Sequence, residues 1–567
     1  MKLKAKTFVF IVIILFVSVL ASRNLFKNGY FPMHDDIQVM RLYEMEKCFR
    51  DGQIPCRWVP DMGGGYGHPL FNYHQVFPYY LGMFFRFFGL TLVDVVKLLF
   101  IITFFFSGMF MFFLGRELWG DKAGLVSAVV FVFSPYRAVD VYVRGALTEI
   151  FAITFFPLIF LSLYKYVKEE KFQWFLFSIL SLTGLFLSHN IMTILFTPLA
   201  FIWSFIWILK LNKQCLWAKT ILIFFWSFLI SAFFLIPAFF EKSLVTMDTL
   251  TTDYYDFRNH FVTLKQLFID RSFGYGPSRP GPVDDMSFQL GLPQWIITLT
   301  AGAWFLKNII TGKNIRKSIT NESFLVFSLF IGWFLSTLMT HAKSFYIWSL
   351  LTPIAKFVQF PWRFLALSMF FCSLLAGSLI FYVKKEKISF LITLLIIFLT
   401  ILLNYNYFKP LKILKIGDKD ILSGEEWRRQ SLTTFQDYYP VKVKEIPKDL
   451  AFNVPKIIDG LGKIDNFNNF SNRWSFSVNA VNDLAVMVPV FDFPRWMIMV
   501  DKKESGYLID DKLGLIIVNL TGGNHQVEGY LKNTPLREAS NNISVMSFAL
   551  LVLVTIKQLV FKKNEKN

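Results

Sequence analysis

Long apolar blocks decide what this chain can become: about a dozen stretches approach or reach the roughly 17–25 residues a helix needs to cross a bilayer's hydrocarbon core. Of its 567 residues, 54% are hydrophobic and only 17% charged, against about 25% charged in ordinary soluble domains. The blocks predict membrane helices at 7–22, 93–115, 121–136, 147–166, 172–188, 190–210, 217–240, 291–308, 322–340, 361–383, 388–406 and 543–561. The first of these follows Lys2, Lys4 and Lys6 and has no small-residue cleavage signal after it, so a retained helix is expected rather than a secretory leader. The apolar stretch 76–90 is shorter and contains Pro78 and Arg86, which suits an interfacial or re-entrant helix.

Charge sets the expected orientation. The formal net charge is +18, yet the Lys and Arg residues lie in short clusters between apolar blocks, which argues against nucleic-acid binding. With the N-terminus inside, twelve spans put the lysine-rich segments 165–171, 210–213, 307–317, 384–387 and 562–566 in the cytoplasm, as the positive-inside bias requires. Counting 76–90 as one more span turns all of them outward. The same parity places 23–92, 241–290, 341–360 and 407–541 outside. The expected protein is therefore an α-helical, multi-pass plasma-membrane protein with cytoplasmic termini. Its expected parts are a membrane domain over 1–406, including the outside loop 23–92, an extracytoplasmic β-sandwich-like domain over 407–541, and a last helix with a basic tail over 542–567. The β expectation rests on WSFSVNAVND, LAVMVPVFDFPRWMIMVD and LGLIIVNLTGG, with turn signals at Asn482-Asp483, Asp510-Asp511 and Gly522-Gly523-Asn524.

Most of the polar chemistry falls on the outside. Asp35 and Asp36 precede a helical stretch that starts at Ile37, where they can cap the helix, accept a proton from an incoming hydroxyl, or hold a divalent cation such as Mg or Mn. Arg137, Asp140, Arg144 and Glu149 lie between the third and fourth blocks and at the start of the fourth. His189-Asn190 joins two blocks, and Gln359, Trp362 and Arg363 open another. Each alone reads as an interfacial anchor. Together, and on the same expected face as Asp35 and Asp36, they suit a lipid-linked phosphate held by charge-assisted hydrogen bonds.

Other signals are weaker. Gly63, Gly64, Gly65 and Gly67 lack the strand and the Gly-Lys-Ser/Thr ending of a phosphate loop, so a flexible turn is expected. His34, His68 and His74 lack zinc spacing, and Asp284-Asp285 reads as a solvated turn. Cys48 and Cys56 are open to two readings, a disulfide outside or two free thiols.

Taken in order, HDD with its Arg-bearing helix, DGQIPCRW, GYGHPLFNY, RGALTE, SHN and QFPWRF resemble bacterial and archaeal membrane proteins labelled 6-pyruvoyl-tetrahydropterin synthase-related, neighbours of the YfhO-like family. FDFPRWMIMVDKK and LIIVNLTGGNHQVEGYLKNTPLR resemble the YfhO-like C-terminal outside domain, with Arg495 and Lys502 where two glycines are usual. These proteins resemble in turn the GT-C glycosyltransferase superfamily, and the Asp35–Arg41 spacing is similar to that in the first outside loop of the oligosaccharyltransferase catalytic subunit. The resemblance implies an enzyme that moves a sugar from a polyprenyl-phosphate carrier to an envelope glycan, lipid or protein. It implies Asp35 or Asp36 as base or metal ligand, and Arg41, Arg144, Glu149, His189, Asn190 and Arg363 around the donor phosphate. Two other readings remain at this point: a transporter or flippase of lipid-linked sugars, and a non-catalytic scaffold for envelope assembly.

Overall fold

A computed structural model describes residues 5–281, 283–311, 321–433 and 437–564. Lys2, Lys4, residues 312–317 of one lysine-rich stretch and 565–566 of another lie outside the described residues. The chain is mostly helical, and eight helices among the described residues are long and apolar enough to cross a membrane. They are Thr7–Phe26, Leu92–Trp119, Leu147–Glu169, Asn190–Lys210, Ser323–Thr340, Pro361–Tyr382, Glu386–Tyr407 and Pro535–Val560. Two bent pairs raise the number to 10 if each is one span: Asp121–Val132 with Pro135–Arg144, turning by 45°, and Gln214–Ile230 with Ala232–Phe240, turning by 75°. Helices also occupy Phe172–Ser188 and Leu292–Thr311. The stretch around 76–90 forms the helix Phe77–Phe87, only 11 residues long, with Phe84, Phe87 and Phe88 exposed on one side.

The chain folds as two compact units that interleave in sequence. The first comprises Met1–Asp36, Lys97–Ser227 and Thr251–Lys415. Its helices approach closely where side chains are small: a Cβ on Gly377 would stand 2.3 Å from the Ser127 hydroxyl, and one on Gly115 would stand 3.0 Å from the Gly124 Cα. Without a hydrophobic drive between helices in lipid, such close backbone approach supplies the packing. Leu147–Glu169 and Pro361–Tyr382 are the most enclosed of the eight apolar helices.

The second unit comprises Ile37–Val96, Phe228–Leu250 and Ile416–Asn567. Its centre is a domain of two antiparallel sheets. One has the order β1 (Lys456–Asp459), β4 (Leu484–Phe491), β8 (Leu515–Leu520), β7 (Leu508–Ile509). The other has the order β2 (Gly462–Asn469), β3 (Arg473–Ala480), β9 (Gly523–Leu531), β5 (Trp496–Val500), β6 (Lys503–Ser505). Strict alternation turns Trp474, Phe476 and Val478 of β3 inward, where they share one buried cluster with Val486, Val488 and Val490 of β4. That shared core makes the two sheets a sandwich.

The glycine-bearing segment is woven into this domain. Gly64 N–H donates to the Ser431 carbonyl at 2.8 Å, Ala451 N–H to Gly64 at 2.7 Å and Phe491 N–H to Tyr66 at 2.9 Å. The glycine run is thus a packed turn, not the flexible one its composition suggests. All four glycines have positive φ, and a Cβ on Gly67 would stand 2.3 Å from the Trp58 ring. Cys48 and Cys56 are joined as a disulfide.

Candidate functional site

The first unit holds a buried ionic cluster built on three consecutive pieces of chain. After the bend at Ser134, Pro135–Ala138 runs into a π-helical turn, Val139–Arg144. Such turns are rare and recur at functional sites. The turn ends at Gly145, whose φ is +62° and whose Cβ, if present, would stand 2.1 Å from the Met33 sulfur. Only glycine fits both demands. The helix Leu147–Glu169 then begins, with Glu149 in its first turn, where a carboxylate suits the positive end of the helix dipole.

Glu149 is the hub. Its Oε2 accepts from Arg144 Nη2 at 2.8 Å, and its Oε1 accepts from the Tyr136 hydroxyl at 2.9 Å. Arg363 Nε stands 3.5 Å from the same Oε2, and His189 Nε2 stands 3.9 Å from it. Arg144 also pairs with Asp140 through Nη1. His189 Nδ1 accepts from Met192 N–H at 3.1 Å, which leaves Nε2 as the nitrogen that carries the proton in the neutral ring. Arg363 is steadied further by donating from Nη1 to the Val358 carbonyl and the Gln359 side-chain oxygen, both at 2.7 Å. The guanidinium of Arg144 lies over the Trp362 ring at 4.6 Å, a cation–π contact. Asp140 and Glu149 are fully buried, while Arg144 keeps 11% of its side chain exposed. Asp140 Oδ2, Arg363 Nε and Asn190 Oδ1 are buried with no hydrogen-bond partner.

These residues are not free interfacial anchors. Two arginines face two carboxylates, so the cluster balances its own charge. Arg137, fully buried, makes no ion pair with these four groups, though its charge acts on Asp140; it donates to the Thr103 carbonyl at 3.3 Å and packs over the Phe131 ring at 4.9 Å.

Asp35 meets this cluster through the backbone. His34 N–H donates to the Val143 carbonyl and Asp35 N–H to the Arg144 carbonyl, each at 2.9 Å. The charges of Asp35 and Arg144 both act on the His34 imidazole. Asp35 and Asp36 are half-buried. The helix after them is Gln38–Arg50, with Ile37 rather than an aspartate at its cap position. Arg41 belongs to the second unit, where it is buried and reaches the Tyr79 hydroxyl at 3.5 Å. Its charge acts on Asp437 and His68. Among the described residues no group of three or more His, Cys, Asp or Glu is arranged to hold a metal ion. Asp35 and Asp36 thus offer two carboxylates without a third such ligand grouped with them.

Asp284 departs from the expected solvated turn. Its carboxylate accepts from Gln266 Nε2 at 2.6 Å, Ser278 Oγ at 3.0 Å and Arg279 N–H at 2.7 Å, organising its loop, and burial pushes its pKa up. Tyr136, the hub's neutral donor, carried no signal in the sequence beyond its place before Arg137.

No family model matches the chain. It is 26% identical over 244 residues to an uncharacterised protein of Lactococcus lactis subsp. cremoris (strain MG1363), an alignment covering 41% of this chain and 40% of that protein. The chain thus spans less than half the length of the relative it matches.

Proposed function

We propose that this chain is a GT-C-like membrane glycosyltransferase, related to the YfhO-like proteins and built on about twelve spans. It takes a sugar from a polyprenyl-phosphate carrier and passes it to an envelope glycan, lipid or protein on the extracytoplasmic face. One observation carries the reading: backbone bonds clip His34 and Asp35 to Val143 and Arg144, bringing a half-buried carboxylate to the edge of an arginine-bearing cluster. In the reaction the bond between the sugar C1 and the phosphate oxygen breaks as the acceptor oxygen bonds to C1. Asp35 or Asp36 takes the acceptor's proton. The departing phosphate gains negative charge at the exposed edge of Arg144, which Asp140 and Glu149 hold in place, with Arg363 behind it. Fixed dipoles and charges of this kind act without reorganising during the reaction.

The test uses proteoliposomes with radiolabelled polyprenyl-phosphate hexose and an envelope extract as acceptor. Asp35→Asn with Asp36→Asn should lower transfer by about 10²–10⁴-fold while membrane insertion stays intact. Full transfer by the double variant refutes the proposal.

A flippase for lipid-linked sugars is the second reading. The observation that favours it is a buried ionic cluster carried on a helix pair bent by 45°, since transporters use broken helices and enclosed charges. Translocation of the labelled lipid across the vesicle, without transfer to acceptor, distinguishes it.

A further inference from the structure

The segment between Ser323–Thr340 and Pro361–Tyr382 is a string of short helical turns: Ala342–Ser344, Phe345–Leu350, Thr352–Ala355 and Lys356–Val358. Its burial is one-sided. Ser344, Trp348, Ala355 and Val358 face inward, and Trp348 stacks on Phe257 at 5.1 Å and donates from Nε1 to the Met339 carbonyl at 3.0 Å. The opposite face bares Tyr346 at 85% and Leu350 at 82%, with Ile347, Leu351, Ile354 and Phe357 beside them. The only side chains with full charge from 342 to 358 are Lys343 and Lys356, both exposed.

We propose that this face is seated in the lipid interface, with its apolar side chains among the upper acyl chains and the two lysines at the anionic headgroups. Continuity argues for lipid rather than a protein partner. The segment begins where one apolar helix ends and finishes where the next begins, so it sits at the bilayer boundary those two helices define. The helical turns supply internal partners for the backbone, as apolar surroundings require, and a basic, aromatic-rich amphipathic face is the type that lies in an interface. The lysine stems reach from such a face to headgroup depth. The seat has a consequence for the ionic cluster, because the Val358 carbonyl and the Gln359 side chain hold Arg363. The depth of the segment sets the depth of that arginine. The inference needs only the chain's membrane character and stands apart from the transferase reading.

The full chain, with exposed Cys215 replaced by Ser, is labelled with an environment-sensitive fluorophore at Tyr346→Cys, Leu350→Cys or, as control, Lys503→Cys. Each is reconstituted into vesicles of phosphatidylcholine and phosphatidylglycerol. The proposal expects emission at 346 and 350 shifted to the blue of that at 503, quenched by nitroxide-bearing lipid and insensitive to iodide. Iodide quenching at 346 and 350 equal to that at 503 overturns it. Unsubstituted protein gives a second reading that no folding defect can obscure: photoactivatable phospholipid should leave adducts on peptides spanning 344–357. Adducts on the membrane helices with none on those peptides overturn the proposal equally.

Discussion

Glu149→Gln isolates the hub of the buried cluster. In the intact chain two guanidinium charges, Arg144 and Arg363, meet two carboxylates, Asp140 and Glu149. The substitution keeps the shape, and the amide oxygen can still accept from Arg144 or Tyr136, but one positive charge is left buried without a counter-charge. Breaking a buried pair in this way costs about 3–5 kcal/mol. The remaining hydrogen bonds, each worth about 0.6 kcal/mol in membrane proteins, favour the lower end, near about 3 kcal/mol. The assay is unfolding of the detergent-solubilised chain by added SDS, followed through its 15 tryptophans. Arg363→Met alone leaves the carboxylates in excess and should also destabilise. Combined with Glu149→Gln it restores neutrality, so the double variant should be more stable than the sum of the single changes by about 0.5–3 kcal/mol. If Glu149→Gln unfolds within about 0.5 kcal/mol of the parent chain, a spread typical of harmless surface changes, the hub argument is wrong.

Three further outcomes follow from the geometry. Burial pushes the Asp437 carboxyl up to about 7 from 3.8, so folding favours its protonated form; the penalty is absent below about 4, grows as pH rises and is complete above about 7. Asp437→Asn should therefore match the parent at pH 4 and outlast it at pH 8 in the same SDS titration, and equal midpoints at both pH values would contradict this. Gly145→Ala must strain a φ of +62° and displace Met33; lower stability is expected, partly recovered by Met33→Ala, and the recovery is read in the double variant. Replacing both Cys48 and Cys56 by Ser opens a short loop and should cost about 2–3 kcal/mol on chain-entropy grounds, with a matching gel-mobility shift on reduction of the parent chain alone.

The β domain shows how much of a fold a pattern can carry. Alternating apolar residues made β3, β4 and β8 legible, and the turn signals at 482–483 and 522–524 fall at or beside the connections that carry the chain from one sheet to the other, β3 to β4 and β8 to β9. β1 and β2 were not legible. Their side chains are largely exposed, and KIDNFNN reads as loop because this edge strand turns only Ile464 and Phe467 against the core. The glycine run misled in the opposite direction. Its composition signals freedom, but Trp58, Phe491, Leu432 and Ala451 crowd it, and close contact rather than flexibility demands the missing side chains.

The amino-acid sequence by itself determined that this chain has helices able to enter a membrane and a β domain after them, because both follow from local periodicity and the cost of exposing apolar surface. It also brought forward Asp140, Arg144, Glu149, His189 and Arg363 as polar residues out of place among apolar ones. Only the tertiary structure decided that they form one charge-balanced cluster with Glu149 at its centre, and that Arg41 packs in the other unit with Tyr79. The reason is distance along the chain: Glu149 and Arg363 are brought together by helix packing, and no local pattern records which helices become neighbours.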